Sequence, residues 1–271
     1  MDKRNSFLKK LGAILLGVLV LLLAMAVVFR IYARKYYRSD TAIIDAIAEE
    51  TAGSVNYYYD ERTAVFFPVK VNPKAVIVFY PGGKVEFTAY NSLMYKLAEK
   101  GYICVTLKMP ENLAFFNVDA ATSLFREEQE RFTMVEDLDW YIAGHSLGGA
   151  IAASYFDDVL SGKTDLYHDR GPQGEFSGII LCASYSTKDL SDDETRLLSI
   201  YGSDDSVLSM DSYDKCIANW PEDATEYVIQ GGNHSYFGSY GVQDGDSEGS
   251  ITNEEQLDKT AEVIDEWISA G

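Results

Sequence analysis

The stretch that most restricts how this chain can fold is residues 139–150, which reads Asp-Trp-Tyr-Ile-Ala-Gly-His-Ser-Leu-Gly-Gly-Ala. Its apolar part, residues 140–143, is rich in strand formers, and the small residues after Leu147 can begin a helix. A sharp turn between the two leaves no room for side chains at Gly144 or Gly148. The pattern therefore predicts a strand, a tight turn and a helix, with the Ser146 hydroxyl exposed at the tip.

Strand-like and helix-like segments alternate along most of the chain, which is typical of a parallel sheet covered by helices on both faces. The first two strand segments are separated by a short polar turn and are expected to pair antiparallel. The predicted strands cover residues 55–59, 63–69, 75–80, 102–107, the stretch before Ser146, 178–183, 196–201 and 225–230, and the predicted helices cover 88–100, 118–129, a stretch from Leu147, 211–219 and a stretch from near Glu254. The predicted fold class is α/β, with a doubly wound, mostly parallel sheet and an antiparallel N-terminal pair.

Function in such a sheet belongs at the carboxyl ends of the strands, so a base for Ser146 is expected there. The chain has three histidines. His145 lies inside the turn itself, and His168 lies in a charged loop where a solvated surface position is expected. His234 follows the strand at 225–230 and a Gly-Gly-Asn turn, so it is the candidate to take a proton from Ser146.

A third group should orient the imidazole of His234 and stabilise its protonated form. Asp204 and Asp205 both follow the strand at 196–201, and position along the chain does not separate them. Either choice gives the order serine, aspartate, histidine, which differs from the orders of the trypsin and subtilisin types.

Attack on a carbonyl carbon also requires N–H donors for the oxyanion that forms. The N–H of Leu147, directly after the nucleophile, is one candidate. The second is expected from the Pro-Gly-Gly turn after the strand at 75–80, with Gly83 preferred and Lys84 as the alternative. The same tripeptide is also compatible with a tight turn that has no catalytic role.

The N-terminal region contains an uncharged apolar run at residues 11–29, long enough to cross most of a bilayer. A cleavable signal peptide is the alternative, since Ala24-Met25-Ala26 has the form of a cleavage site. The run continues to Phe29 and is followed at once by basic residues, which favours an anchor. The expected organisation is a basic segment 1–10, a transmembrane anchor 11–29, a juxtamembrane basic segment with a short helix 30–53, and a catalytic domain 54–271. Four basic residues on each side leave the orientation open.

The remainder of the chain is strongly acidic. Taking the eight basic residues and one acidic residue of positions 1–38 away from totals of 23 and 42 leaves 15 and 41, a formal charge of −26. Nucleic acid is therefore not expected as a partner, and anionic lipid would repel the domain.

Cys104, Cys182 and Cys216 form no close-spaced pair, so neither a disulfide framework nor a cysteine metal site is predicted. No cofactor is expected, and the oligomeric state is left open.

Residues 244–255, Asp-Gly-Asp-Ser-Glu-Gly-Ser-Ile-Thr-Asn-Glu-Glu, come close to the calcium loop of an EF-hand. An EF-hand also requires a helix before the loop, whereas a glycine-rich and aromatic loop precedes this one. Glu248 at the fifth position is longer than the usual Asp or Asn. We therefore expect no metal here, and the resemblance described next implies instead a surface turn leading into the last helix.

From about Lys74 onward the chain resembles the α/β-hydrolase superfamily, and more narrowly small bacterial serine hydrolases similar to the dienelactone hydrolase branch. The resemblance lies in residues 80–86 (Tyr-Pro-Gly-Gly-Lys-Val-Glu), 108–114 (Lys-Met-Pro-Glu-Asn-Leu-Ala), 144–149, 201–205 (Tyr-Gly-Ser-Asp-Asp), 231–234 (Gly-Gly-Asn-His), 237–238 and 240–241. It implies that Asp205 is the triad acid and that the domain faces outward. Dienelactone hydrolase itself uses a cysteine where this chain has Ser146, so its substrate is not carried over. The loop at residues 161–177 is longer than in close relatives.

These patterns together predict a membrane-anchored serine hydrolase that cleaves carboxylic esters or related small acyl compounds. The predicted triad is Ser146, Asp205 and His234, and the predicted oxyanion donors are the N–H groups of Gly83 and Leu147. A thioesterase, an amidase or an acyltransferase would use the same triad. A protein of a different class, a catalytically silent binding or sensor protein, would retain the fold alone.

Overall fold

The structure, a computed structural model, describes residues 2–122, 124, 138–163, 176–191 and 195–271. The chain divides into two compact units, one ending at Tyr36 and one covering Tyr37–Gly271.

The first unit is dominated by helix α1, Asp2–Ala33. Its stretch Ser6–Ala33 is, in the part of the chain that the structure describes, the helix long and apolar enough to cross a membrane, a test that a signal sequence also meets. Large apolar side chains such as Leu15, Leu19 and Leu22 are exposed along it. Because the helix is apolar on all sides, its exposure to water is unfavourable.

The second unit is built on one eight-stranded sheet. Its strands are β1 (Val55–Tyr59), β2 (Thr63–Pro68), β3 (Ala75–Tyr80), β4 (Tyr102–Leu107), β5 (Asp139–His145), β6 (Gly178–Cys182), β7 (Arg196–Gly202) and β8 (Asp223–Ile229). Their order is β1-β2-β4-β3-β5-β6-β7-β8. Strand β2 is antiparallel to both β1 and β4, and the remaining neighbours run parallel. The predicted fold class, including the antiparallel pair, is confirmed.

The helices of this unit are α2 (Thr41–Glu50), α3 (Asn91–Glu99), α4 (Leu147–Leu160), α5 (Met210–Cys216) and α6 (Asn253–Ser269). Local chemistry explains two of their starts: the Asp40 carboxylate caps α2, and Thr252 with Glu255 forms a capping box on α6. The predicted helix at 88–100 begins instead with a 3-10 turn at Phe87–Tyr90. Most of the helix expected at 118–129 lies outside the described residues.

Apolar cores lie on both faces of the sheet, and β3 contributes to each. Ile77 and Phe79 belong to the core that includes residues of α2, α3 and α6, whereas Val78 and Tyr80 belong to the core that includes residues of α4. All six residues of β3 are buried. This matches the continuous apolar run expected of a strand covered on both sides.

Helix α2 is part of the packed domain. Ile44 and Ile47 lie on one helical face and are buried in the first core. The segment before the helix is tied down as well, since Tyr37 N–H donates to the Lys84 carbonyl at 2.8 Å and Asp40 N–H donates to the Ser239 carbonyl at 2.7 Å. The compact unit thus begins at Tyr37, ahead of the expected boundary at residue 54.

Candidate active site

The turn between β5 and α4 holds Ser146 in an unusual backbone conformation, with φ 51° and ψ −125°. Such a positive φ is costly for a residue with a side chain and persists only where the surroundings hold it. The glycines make the turn possible. A Cβ atom on Gly148 would lie 2.2 Å from the Pro81 carbonyl oxygen, and one on Gly144 would lie 2.7 Å from the Gly148 carbonyl carbon. The strand, turn and helix predicted around Ser146 are therefore present.

His234 lies against Ser146 and Asp205, although the three residues come from separate loops. The His234 Nε2 atom is 2.9 Å from Ser146 Oγ, and His234 Nδ1 is 2.8 Å from Asp205 Oδ2. A carboxylate can only accept, so Nδ1–H donates to Asp205, and Nε2 is left to accept the Ser146 hydroxyl proton. The side chains of both His234 and Asp205 are only 2% exposed. Such an arrangement can take the proton from a serine that attacks an electrophile.

The two adjacent aspartates have different partners. Asp205 Oδ1 accepts hydrogen bonds from the N–H groups of Val207 (2.8 Å) and Leu208 (2.7 Å), while Oδ2 faces the imidazole. Asp204 points away, toward Ser203 Oγ at 2.9 Å and Ser250 Oγ at 2.5 Å. These two hydroxyls lower the pKa of the exposed Asp204 carboxyl, with the Ser250 hydrogen bond as the larger cause. Of the two carboxylates, that of Asp205 therefore contacts the His234 imidazole.

His145 is fully buried and connects the histidine loop to the Pro-Gly-Gly turn. Its Nε2–H donates to the His234 carbonyl at 2.9 Å, which leaves Nδ1 to accept the Tyr90 hydroxyl proton at 2.8 Å. The Tyr90 oxygen in turn accepts the Gly82 N–H at 2.9 Å. Burial, with the nearby His234 as a second cause, lowers the pKa of His145 well below its usual value. A neutral His145 suits this chain of donors and acceptors.

The two residues expected to supply the oxyanion donors, Gly83 and Leu147, are in contact. A Cβ atom on Gly83 would be 2.8 Å from Leu147 Cδ2, so the turn after β3 lies directly against the start of α4. Within the described residues, no group accepts a hydrogen bond from the N–H of Gly83 or of Leu147. The N–H of Lys84 donates to the Asn112 carbonyl at 2.7 Å, and that of Gly82 is taken by Tyr90. In this turn, the Gly83 N–H is the donor left for a ligand.

A cavity of about 290 Å³ opens beside Ser146 and His234. Tyr185, Val207 and Leu208 are part of its wall, and no Lys, Arg, Asp or Glu is found among the described residues that line it. A larger cleft of about 620 Å³ has many charged residues, among them Lys96 and Asp258, and contains none of the predicted site residues. Because the smaller cavity adjoins Ser146 and His234, it is the candidate substrate site.

The cysteines do not compete with Ser146 as nucleophiles. Burial raises the pKa of the Cys182 thiol to about 12, and burial also raises the pKa of Cys104 and of Cys216. A thiolate is the reactive form of cysteine, so a raised pKa disfavours reaction of these thiols near neutral pH. All three are free.

In the part of the chain that the structure describes, no group of three or more His, Cys, Asp or Glu side chains could hold a metal ion. Two acidic residues of the segment 244–255 have protein partners instead. Asp246 accepts hydrogen bonds from the N–H and hydroxyl of Ser235, and Glu255 accepts from the N–H and hydroxyl of Thr252.

Two residues at the site were missed by sequence reasoning, namely Tyr90 and Asp246. Tyr90 lies in a predicted helix and carries no recognisable signal. Asp246 lies in a segment that the sequence presented as a rejected calcium loop and as a surface turn, and neither interpretation gave it a role at the triad. His168 and residues 164–175 of the long loop lie outside the described residues.

Comparison with known proteins agrees with this architecture. A model of a family described as the alpha/beta hydrolase family matches residues 76–258. Among curated protein sequences, none matches the chain.

Solved structures are similar in fold. One is a soluble variant of monoglyceride lipase from Saccharomyces cerevisiae in complex with a substrate analogue, with TM-score 0.54 and 13% identity, covering 79% of this chain and 94% of that one. Another is an esterase from Pyrobaculum calidifontis, with TM-score 0.56 and 13% identity, covering 83% of this chain and 89% of that one. At this identity the likeness concerns the fold, which is the α/β-hydrolase fold. The more specific likeness to the dienelactone hydrolase branch is not among these findings.

Proposed function

The chain belongs to the alpha/beta hydrolase family, and from this premise we propose that it is a serine hydrolase that cleaves carboxylic esters or related acyl compounds. The observation that carries the proposal is the hydrogen-bonded series Asp205, His234 and Ser146, with distances of 2.8 and 2.9 Å. Similar folds in a monoglyceride lipase and in esterases support ester cleavage at the level of reaction class.

In the proposed reaction, Ser146 Oγ attacks the acyl carbon while His234 Nε2 takes the hydroxyl proton. Asp205 holds Nδ1–H and stabilises the imidazolium. The tetrahedral intermediate then expels the alcohol, which receives the proton from His234, and an acyl ester of Ser146 remains. Water, deprotonated by the same imidazole, hydrolyses that ester and regenerates the serine.

Two N–H groups are proposed to bind the negative oxygen of the intermediate, those of Gly83 and Leu147. Both are without an acceptor in the described structure, and Leu147 N–H lies at the start of α4, where the helix dipole favours negative charge. Each such donor lowers a barrier of this kind by roughly 3 kcal/mol.

The cavity supports a small, uncharged acyl substrate. Its volume of about 290 Å³ is at the lower end of what ligand pockets span, and its described wall is apolar and hydroxyl-bearing without Lys, Arg, Asp or Glu. A thioester, an amide or an acyl acceptor other than water would fit the same triad. These reactions are distinguished by assay with ester, thioester and amide series of graded acyl length.

We further propose that α1 anchors the protein in the cell membrane and that the hydrolase domain faces outward. The exposed apolar helix supports an anchor, as does the continuation of its apolar face past the cleavage-like Ala24-Met25-Ala26. The outward orientation rests on the resemblance to small bacterial hydrolases. A cleaved signal sequence remains the alternative for the same helix.

The proposal is tested by labelling the full chain in detergent with a fluorophosphonate probe. We expect label on Ser146 in the wild type, and loss of both labelling and ester turnover in Ser146→Ala and in His234→Ala, by about a thousandfold or more. His168→Ala serves as the matched histidine control and should retain both. Turnover by Ser146→Ala would exclude this serine as the nucleophile. A well-folded wild type that takes no label would favour a silent binding protein.

A further inference from the structure

The acidic segment that begins at Asp244 contacts the loops of the triad. Asp246 lies half-buried between them. Its Oδ2 accepts the Ser235 N–H at 2.8 Å and the Ser235 hydroxyl at 2.6 Å. Its Oδ1 accepts the Ser206 N–H at 3.3 Å and the His234 N–H at 3.4 Å. One carboxylate thus receives four donors.

Those donors belong to the two loops that carry the base and the acid. Ser206 directly follows Asp205, and Ser235 directly follows His234. The imidazole reaches Asp205 and Ser146 only if both backbones stay in register, because the three side chains come from separate loops. A charged acceptor shared by both backbones restricts their relative movement more strongly than a neutral one would.

The position of Asp246 is itself fixed by neighbouring contacts. The hydroxyl of Ser247 donates to the Asp204 carbonyl, and the Ser247 carbonyl accepts the Asn233 Nδ2–H at 2.8 Å. Further along, Ser250 Oγ donates to the Asp204 carboxylate at 2.5 Å. Directly after Asp246, the segment is therefore attached to both the acid loop and the histidine loop.

We propose that Asp246 is a positioning residue, whose carboxylate holds the His234 and Asp205 loops together and so maintains the triad geometry. This inference rests on the proposed function. A plain surface turn would need only the backbone bonds of the segment, whereas here the Asp246 carboxylate itself contacts both catalytic loops. The acidic character of position 246 is thereby explained without a bound ion.

The experiment uses the full chain in detergent and the substitution Asp246→Asn, which keeps the shape and removes the charge. Asp244→Asn is the matched control: it is the same change in the same segment, at an exposed carboxylate that has no hydrogen bond or ion pair within the described residues. With a nitrophenyl ester of short acyl length, we expect kcat of Asp246→Asn to fall about tenfold or more. KM should stay within about twofold, since Asp246 is not among the residues that line the cavity. The rate of fluorophosphonate labelling should fall with kcat, and Asp244→Asn should match the wild type in all three.

A double substitution separates positioning from general destabilisation. If Asp246 acts through His234, then Asp246→Asn should cause no further loss in a His234→Ala background, whereas a purely structural effect would reduce the residual activity again. Should Asp246→Asn fail to fold, Ser235→Ala removes the shortest contact while keeping the charge, and a lower kcat at unchanged KM is again expected.

A wild-type kcat in Asp246→Asn would overturn the inference. If Asp246→Asn does not fold, a wild-type kcat in Ser235→Ala would overturn it. The inference would also be overturned if Asp246→Asn reduced activity by the same factor in the His234→Ala background as in the wild type. A wild type that takes no fluorophosphonate label contradicts the proposed function instead. Labelled wild type together with equally fast labelling of Asp246→Asn contradicts only the role of Asp246.

Discussion

Asp204 and Asp205 are neighbours in sequence, yet their carboxylates face different parts of the molecule. Asp205 has three acceptor contacts, two to backbone N–H groups and one to His234, and its side chain is almost fully buried. Asp204 is bound by serine hydroxyls at the surface. Only a carboxylate fixed against Nδ1 can set the imidazole tautomer that leaves Nε2 free to accept a proton.

We therefore predict that Asp205→Asn lowers kcat by about a thousandfold or more, because the amide no longer stabilises the imidazolium. Asp204→Asn should cause a much smaller loss, through weaker attachment of the segment that carries Asp246. Steady-state turnover of an ester by the two variants, with circular dichroism to confirm folding, makes the comparison. Equal losses in the two variants, or a greater loss in Asp204→Asn, would contradict the assignment of Asp205.

At the scale of elements, the site depends on the close approach of α4 to the end of β3. The backbone of Gly148 lies so near the Tyr80 and Pro81 carbonyls that an added Cβ atom would be 2.3 and 2.2 Å from their oxygens. Real Cβ atoms do not come within 3.0 Å of such atoms. A side chain at Gly148 would therefore force α4 away from the end of β3. The turn that carries Gly83 would move with the strand.

Gly148→Ala should consequently lower both stability and activity. Overpacking of this kind costs about 1–3 kcal/mol, and a displaced Gly83 N–H would stabilise the oxyanion less. The variant is compared with Gly17→Ala in α1, where an added methyl group meets nothing within 4 Å. We expect a lower Tm and a lower kcat for Gly148→Ala and wild-type values for Gly17→Ala. Unchanged Tm and kcat in Gly148→Ala would mean that α4 and β3 separate at no cost.

On the scale of the whole molecule, a strongly apolar helix and a strongly acidic domain share one chain. The apolar helix favours a membrane, whereas a formal charge of −26 from position 39 onward gives the domain no attraction to anionic lipid. Any attachment of the domain to a bilayer must then come from α1. A cleaved helix would release the domain, and an uncleaved one would retain it.

The full-length protein is expected to remain in the membrane fraction after a carbonate wash, with a mature N-terminus before Leu11. Twenty or so apolar residues suffice to hold a helix in the bilayer against such treatment. N-terminal sequencing checks the start, and a mature start at Val27 would instead mean a cleaved signal. Protease added to intact cells should cut the domain. Cleavage only after lysis would place the domain on the cytoplasmic side.

Local sequence pattern was enough to predict most of the sheet. Strands β1, β3 and β4 have the predicted bounds, and others differ by up to two residues, because a continuous or alternating apolar run is a property of neighbouring residues. The turn at Ser146 was predictable for the same reason, since its glycines and its helix-forming successors are adjacent. The choice of His234 followed from position after a strand, together with the small number of histidines.

Contacts between distant loops could not be predicted in this way. Which of Asp204 and Asp205 faces the imidazole depends on the direction in which the loop turns after β7, where Asp204 is hydrogen-bonded to the distant Ser247 and Ser250. The pairing of Tyr90 with His145 spans 55 residues, and Asp246 reaches back 40 residues to Ser206. The sequence by itself determined the sheet, the turn and the residue types of the site. Only the tertiary structure decided which side chains hold the catalytic loops in register. Such contacts depend on how distant loops pack together, and they leave no periodicity in the chain.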